Sequence, residues 1–279
     1  MIQTRRAPAK INLGLHVLRR RPDGFHDLAT VFQRIPWEDE LAARPASDER
    51  IALTCSDPAL PTDDDNLVVR AARLEKPLPA GAGLGGGSSD AAAALRLLSD
   101  FWSLDATDET LRKLAARLGS DVPFFLGAPA AYATGRGDVL HPMRDYRLPF
   151  PLVVAVPDVA VSTPDAYRLV APSNQDRPDL RAVVRSNDPA RWRRELTNDF
   201  EEPVVEAYPV IGAVRATLRE SGAAYAALSG SGSAVFGVFE GNAAARTAAR
   251  QLAERDDVRA ARFFSPQSTL RAQGGANGS

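Results

Sequence analysis

The segment PAGAGLGGGSSDAAAAL, Pro79 to Leu95, concentrates the features that hold a phosphate chain. Its closely spaced glycines Gly81, Gly83, Gly85, Gly86 and Gly87 let backbone N–H groups turn inward with no Cβ in the way. A helix that begins at about Ser89 points its positive end at the same spot, and Ser88 and Ser89 add hydroxyls. A flexible glycine-rich turn is the plain alternative, although ordinary turns rarely join so many glycines to hydroxyls and a long apolar helix. Other phosphate motifs fit less well. Gly81, Gly83 and Gly86 satisfy the dinucleotide pattern G-x-G-x-x-G, yet the preceding LEKPLPA is broken by Pro77 and Pro79, and Asp100 falls in a helix instead of ending a second strand. The Walker loop G-x-x-x-x-G-K-[ST] needs a lysine that this segment lacks.

Single chemical groups stand out elsewhere. LGSDVPFFL, Leu118 to Leu126, puts Asp121 in the break between one helix and the next apolar run. A carboxylate there either takes a proton from a substrate hydroxyl during phosphoryl transfer or caps a helix. In PAKINLGLHV, Lys10 interrupts an apolar strand approach. Its ammonium either neutralises a phosphate and keeps Asp121 ionised, or lies solvated on the surface. ALSGSGSAVFGVF reads as strand, Gly/Ser turn and strand, with Gly230 and Gly232 in the turn.

These groups need a scaffold, and the chain supplies a mixed one. KINLGLHVL reads as a strand followed by a turn at Pro22, Asp23 and Gly24, and further extended stretches run from Leu28 to Ile35 and from Ile51 to Cys55. Asp65 is placed to cap a helix over NLVVRAARL, which Pro77 and Pro79 cut off. Ala91, Ala94, Leu95, Leu98 and Trp102 recur at helical spacing, as do Leu111, Leu114, Ala115 and Leu118 before Gly119. After a composition shift near Pro149 to Pro151, PLVVAVPDVAV reads as a buried strand. Trp192 to Phe200, Val210 to Ser221 and Ala243 to Glu254 read as helices. Strands and helices do not alternate regularly, so the class is α+β. The expected domains are 1–149, carrying the phosphate loop, and 150–270, with 271–279 a flexible Gly-rich tail.

The chain has 279 residues, with 34 Lys+Arg against 35 Asp+Glu and a formal charge of -1. That balance gives no overall electrostatic footprint for a nucleic acid or a membrane surface, so any polyanion is met locally. The single cysteine, Cys55, can form no internal disulfide, and His16, His26 and His141 make no spaced metal motif. His16 and His141 read as structural. No apolar run approaches the roughly 20 residues of a membrane helix. MIQTRRAPAK lacks the apolar centre of a signal peptide, which points to the cytoplasm. Oligomeric state is not legible.

Pro79 to Leu95 resembles the P-x-x-x-G-L-G-[GS]-[GS]-S-[SD]-A loop of the GHMP kinases, the superfamily of galactokinase, homoserine kinase and mevalonate kinase. PAKINLGLHVLRRRPDGFHDLATVFQRI, DNLVVRAARL, LGSDVPFFL and ALSGSGSAVFGVF are similar to the members that phosphorylate a cytidine diphosphate-linked methylerythritol, over about Ala7 to Leu270. The resemblance implies a two-domain GHMP kinase fold, the first domain like a ribosomal S5 domain 2 and the second ferredoxin-like. It implies ATP as phosphoryl donor with Mg²⁺ on its phosphates; no protein ligand for the metal stands out in the sequence, and Ser88 or Ser89 are conjectures for it. Lys10 and Asp121 correspond to the family's catalytic pair. Pro79, Ala80, Gly81, Ala82, Gly83, Leu84, Gly85, Gly86, Gly87, Ser88 and Ser89 correspond to its ATP loop, and Asn66 and Lys76 to positions beside the adenine. Asn12, Phe25, His26, Thr163 and Tyr167 fall in the substrate pocket, with Phe25 and Tyr167 sandwiching the cytosine and His26 hydrogen-bonded to it. Gly230 and Gly232 resemble a turn that closes near the phosphates.

The chain departs from the family at two places. Phe25 stands where a tyrosine is usual, and between Arg73 and Glu75 the rest of a helix and a further strand are missing. That loss predicts a sheet edge left unpaired and a phosphate loop whose N-terminal anchor rests on Lys76 and Pro79. The competing readings are another GHMP small-molecule kinase of the homoserine or mevalonate type, which would lack the aromatic pair, and a nucleotide-binding regulatory module without turnover. NAD binding through G-x-G-x-x-G ranks behind both.

Overall fold

Apolar and β-branched residues extend well beyond KINLGLHVL, and the first strand, β1, accordingly covers Gln3–Arg20. A turn leads into an equally long β2, His26–Ala43. The computed structural model describes residues 2–44, 54–56, 73–75, 78–79 and 81–269. Then follow β3 (Thr54–Cys55), β4 (Arg73–Glu75), α1 (Gly86–Phe101), α2 (Asp108–Leu118), α3 (Val122–Phe125), the hairpin of β5 (Ala130–Thr134) and β6 (Val139–Pro142), and β7 (Leu152–Pro157). The remaining elements are α4 (Thr163–Leu169), α5 (Leu180–Arg185), α6 (Pro189–Glu195), α7 (Glu201–Ala207), α8 (Pro209–Glu220), β8 (Tyr225–Leu228), β9 (Val235–Val238), α9 (Asn242–Ala253) and β10 (Val258–Phe264). The class is α+β, as the irregular order of elements implied.

The chain gathers into two compact units that are not consecutive stretches. One takes Met1–Ala9, Trp37–Ala80 and Gly85–Ala128; the other takes Lys10–Pro36, Gly81–Leu84 and Pro129–Ser279.

In the first unit, Ala7, Leu41 and Ala43 from the strands meet Ala93, Ala94 and Leu97 of α1, with Cys55 and Phe101 packed at the margin. The run of alanines lets the helix approach the strands closely. The helix starts earlier than its hydrophobic spacing suggested, because Gly85 takes a left-handed φ of 71° and serves as N-cap. Trp102 lies past its end, 45 % exposed, and Leu114 of α2 is 38 % exposed, so neither belongs to the buried faces read from the spacing. Thr107 caps α2 by accepting from Thr110 N, and Asp108 and Glu109 follow in the first turn.

The shortened region before the phosphate loop behaves differently from expectation. Arg73 and Leu74 are strand, not the end of a helix, and β4 pairs antiparallel with Glu40–Ala42 of β2 while β3 runs parallel to β4. Glu40–Ala42 of β2 are therefore paired on that side. Leu78 is buried, and its N–H donates to the carboxylate of fully buried Asp39 at 2.8 Å, an anchor ahead of the loop that the sequence did not suggest. Asp65, Asn66, Lys76, Ala80, most of NLVVRAARL and the 271–279 tail lie outside the described residues.

In the second unit, β10, β7, β9 and β8 form an antiparallel sheet in that order, with every residue of β7 buried. Apolar side chains of α8 and α9, among them Ile211, Val214, Leu218, Ala248 and Leu252, complete its core with Val153, Val235 and Phe239. β5 pairs with Thr30–Gln33 of β2. α6 stops at Glu195 instead of reaching Phe200, because the next residues join β1: Leu15 N donates to Thr197 O at 2.8 Å and Asp199 N to Leu15 O at 2.9 Å. Asp199 also accepts from Val17 N and from Arg177. No helix among the described residues is long and apolar enough to cross a membrane.

The Asp39 anchor is testable. A charge-assisted hydrogen bond of this kind contributes about 1.5–3 kcal/mol, so Asp39→Ala should cost that much stability by urea denaturation. It should also speed amide exchange at Leu78 specifically; exchange at Leu78 that is already fast in the parent protein would show that the anchor does not hold.

Candidate functional site

Alternation along β1 puts Lys10 and Asn12 on one face of the strand. Lys10 is 4 % exposed, and its Nζ donates to Asn12 Oδ1 and to the carbonyl of Gly83, both at 2.8 Å, while lying 5.5 Å from the centroid of the Phe32 ring. It is no solvated surface lysine. The orientation of Asn12 is set from behind. Thr30 Oγ1 donates to Gly14 O at 2.7 Å, so it can only accept from Asn12 Nδ2, 2.8 Å away, and the amide oxygen is left facing Lys10.

The glycine loop and the Gly/Ser turn between β8 and β9 fit together within the same unit. Ala234 N donates to Ala82 O at 2.9 Å, and Lys10 N to Leu84 O at 2.9 Å. A Cβ built on Gly232 would stand 2.3 Å from Gly83 N, and one on Gly83, whose φ is +80°, would stand 2.6 Å from Ser229 O. Gly230, at φ +64°, faces Asn12 Oδ1 and Lys10 Nζ, which a Cβ would meet at 3.1 and 3.4 Å. Asn198 fixes the turn by donating through Nδ2 to the carbonyls of Leu228 and Gly230, each at 2.9 Å. Ser229 Oγ accepts from Asn12 N at 3.3 Å.

The other half of the loop lies in the first unit. Gly86, Gly87, Ser88 and Ser89 form the first turn of α1, whose leading N–H groups have no carbonyl one turn earlier to bond. No acidic residue occupies that turn, and nothing lies within 4 Å of a Cβ built on Gly87. Ser88 is half-buried; Ser89 is buried, and its Oγ has no hydrogen-bond partner among the described residues. Asp121 precedes α3 but makes no side-chain cap bond, so the capping alternative is not what the structure shows; Ser120 Oγ donates to its Oδ1 at 3.5 Å. Pro79 is half-buried.

The expected substrate residues fall in the second unit. The His26 ring stacks on Tyr167 with centroids 4.7 Å apart and planes 20° apart, and Tyr167 is braced edge-on by Phe200 at 4.9 Å. Burial, and then the nearby charge of Arg20, lowers the His26 pKa from 6.5, so its ring is neutral at pH 7. Thr163 opens α4 and accepts from Ser231 Oγ at 3.4 Å. Phe25 is 55 % exposed, with the Arg136 guanidinium 5.0 Å from its centroid. Where the resemblance puts Phe25 and Tyr167 on opposite faces of one base, the structure lays His26 on Tyr167. His16 is buried and bonded to Thr197 Oγ1 at 3.2 Å, in keeping with a structural role. His141 sits exposed, 5.9 Å from the Tyr132 ring. Among the described residues no three metal-ligating side chains come together. Thr30, Asn198 and Ser229 escaped the sequence reading, because the partners that give them their part, Asn12 with Gly14, Leu228 with Gly230, and Asn12, are not their neighbours in the chain.

Comparison with known proteins adds a second line. The GHMP kinases N terminal domain matches residues 63–128 and the GHMP kinases C terminal domain residues 179–257. The chain is 56 % identical over 270 residues to a 4-diphosphocytidyl-2-C-methyl-D-erythritol kinase of Salinibacter ruber, covering 90 % of this chain and 94 % of that protein. A protein of the same name from Prosthecochloris aestuarii is 44 % identical over 267 residues, covering 88 % and 92 %. The crystal structure of a 4-(cytidine 5'-diphospho)-2C-methyl-D-erythritol kinase superposes with a TM-score of 0.76 at 37 % identity, over 94 % of this chain and 98 % of that one. A homoserine kinase from Cytophaga hutchinsonii, at a TM-score of 0.66 and 17 % identity over 94 % and 93 %, shares the fold.

The interlocked glycines make contrasting variants informative. Gly232→Ala must push backbone apart and should cost at least about 2 kcal/mol by urea denaturation. Gly87→Ala, with open space around the new methyl in a helical turn, should be neutral or stabilise by roughly 0.5–1 kcal/mol. Equal stabilities for the two variants would contradict the close approach at Gly232.

Proposed function

The chain belongs to the 4-diphosphocytidyl-2-C-methyl-D-erythritol kinases within the GHMP kinases, and from that membership we propose how its residues divide the work of phosphoryl transfer. The enzyme moves the γ-phosphoryl group of ATP to the 2-hydroxyl of 4-diphosphocytidyl-2-C-methyl-D-erythritol, in the methylerythritol phosphate route to isoprenoid precursors. The assignment of roles rests above all on Lys10, a buried ammonium fixed by Asn12 and by the carbonyl of the loop residue Gly83.

The ATP phosphates lie along Gly81–Ser89, where glycine N–H groups and the start of α1 offer donors and positive potential. Lys10 neutralises charge on the phosphoryl group as it transfers, a role that suits an ammonium already held in place and costing no reorganisation. Asp121 accepts the proton of the attacking hydroxyl; its side chain is not committed to capping α3. Gly230 and Gly232 shape the turn that stands over the loop in the second unit. Asn66, Lys76 and Ala80 keep the adenine and loop roles implied by the resemblance.

The cytosine stacks on the open face of Phe25, with His26 at its edge. Backed by Tyr167 and neutral, the imidazole donates through one nitrogen and accepts through the other, matching the mixed edge of a pyrimidine. Thr163 and Asn12 line the rest of the substrate site. Bound Mg²⁺ would neutralise phosphate charge, and Ser89 Oγ, buried and without a partner among the described residues, would hold it as one hard oxygen ligand, with Ser88 beside it. The enzyme works in the cytoplasm on a small molecule, where its ATP is supplied.

ADP release measured in parallel with the cytidylyl substrate, mevalonate and homoserine should show turnover with the first alone; turnover with either of the others would displace this assignment. Asp121→Asn should lower kcat by about 10²–10⁴ while ATP affinity changes less than about threefold. More than half of the parent kcat would remove Asp121 from the mechanism.

Acidity gives a separate check on His26. Its pKa lies below 6.5, so the ring is neutral above pH 7 and gains a proton, losing its acceptor, only as the pH falls through that lowered value. KM for the cytidylyl substrate at saturating ATP should be flat above pH 7 and rise only as the pH falls below the ordinary histidine range. His26→Phe, which keeps the stack but cannot titrate, should have a raised KM with no acid limb; an acid limb that persists would assign it to another group.

A further inference from the structure

Phe25 is fixed unevenly. Its backbone is pinned in a tight turn: Arg21 N donates to Phe25 O at 2.8 Å, Gly24 N to Arg21 O at 3.1 Å, and Phe25 N to Asp23 Oδ1 at 3.1 Å. The side chain is 55 % exposed, and a half-exposed aromatic ring rotates freely unless something lies against it. What lies against it is Arg136, with the guanidinium carbon 5.0 Å from the ring centroid.

Arg136 is itself held rigidly. It sits in the turn between β5 and β6, next to Gly135 at φ +65°. Its Nε and Nη2 both donate to Asp138 Oδ2, at 3.2 and 3.1 Å, and its backbone N–H donates to Asp138 Oδ1 at 3.0 Å. The Gly135 carbonyl accepts from Leu28 N at 2.7 Å, which ties this turn to β2 just past Phe25. A planar guanidinium clamped by a carboxylate and laid over an aromatic face is a preorganised cation–π contact, which a flexible lysine reproduces poorly.

We propose that Arg136 is a positioning residue for the cytidylyl substrate: clamped by Asp138, it holds the Phe25 ring from one face so that the other is presented to the base. The proposal rests on the reading that Phe25 stacks on cytosine. Its effect comes from order already present before binding. A ring that must be immobilised by the incoming base weakens binding by roughly two- to tenfold relative to one already fixed. Stacking holds ground state and transition state alike, so the loss appears in KM and not in kcat.

The experiment is steady-state kinetics of Arg136→Ala, Arg136→Lys, Phe25→Ala and the double variant Phe25→Ala/Arg136→Ala, with the thermal midpoint of each. Arg136→Ala should raise KM for the cytidylyl substrate about three- to tenfold, leaving kcat, KM for ATP and the thermal midpoint close to the parent. Arg136→Lys should recover part of the loss. The double variant should be no worse than Phe25→Ala alone, because Arg136 acts through the ring. A raised KM in Phe25→Ala with a silent Arg136→Ala overturns the inference and leaves the stacking reading standing. An unchanged KM in Phe25→Ala overturns both. Additive losses in the double variant, or a parallel rise in KM for ATP with a lowered midpoint, also overturn the role assigned to Arg136.

Discussion

Two lengths of backbone, Ala82–Gly83 and Ser229–Gly232, approach more closely than any side chain allows, and the arrangement around the phosphate loop follows from that approach. Because Gly83 and Gly232 carry no Cβ, the hydrogen bond from Ala234 N to Ala82 O can close, and the Gly83 carbonyl is turned to where Lys10 reaches it. Left-handed φ values at Gly83 and Gly230 are the conformational counterpart of the same contact. The glycines are thus a packing requirement as much as a source of open N–H groups. A loop held this way has its shape before a nucleotide arrives.

Around that contact the polar groups are arranged so that each one's partner decides the next. A buried ammonium is costly unless its protons are taken up, and Lys10 meets an amide oxygen and a carbonyl. The amide can offer its oxygen because Thr30 claims its nitrogen, and Thr30 can accept because Gly14 takes its proton. A series of this sort adds little net stability but specifies one geometry out of several, since reversing any member strands a buried donor or acceptor.

How much of this could be read in the chain depends on how local the cause is. The glycine loop was legible because its requirement, freedom of the backbone, is written in residue type. The burial of Lys10 was not, because one of its partners is a carbonyl 73 residues away, and an ammonium on an apolar strand looks the same whether solvated or buried. The helix start at Gly86 was misplaced because the low propensity of glycine is overridden by the turn that precedes it. Arg73 and Leu74 end a segment with helical composition yet join β2, where an open row of backbone groups outweighs intrinsic preference. The relation of His26, Tyr167, Phe25 and Arg136 is equally long-range: residue types suggested aromatic chemistry, and only the fold decides which ring lies on which.

The interleaving of the units along the chain bears on how the protein is made. Leu15 and Val17 of β1 take hydrogen-bond partners at Ser173, Thr197 and Asp199, more than 150 residues further along the chain, and the sheet that completes their unit ends with β10 at Phe264. Much of the polypeptide must therefore be in place before these groups of Leu15 and Val17 are paired, although β1 also pairs with its neighbour β2. Until then a long, largely apolar strand waits without those partners, in the state from which chains aggregate or recruit chaperones. No single cut in the chain would yield two pieces that each contain a whole unit.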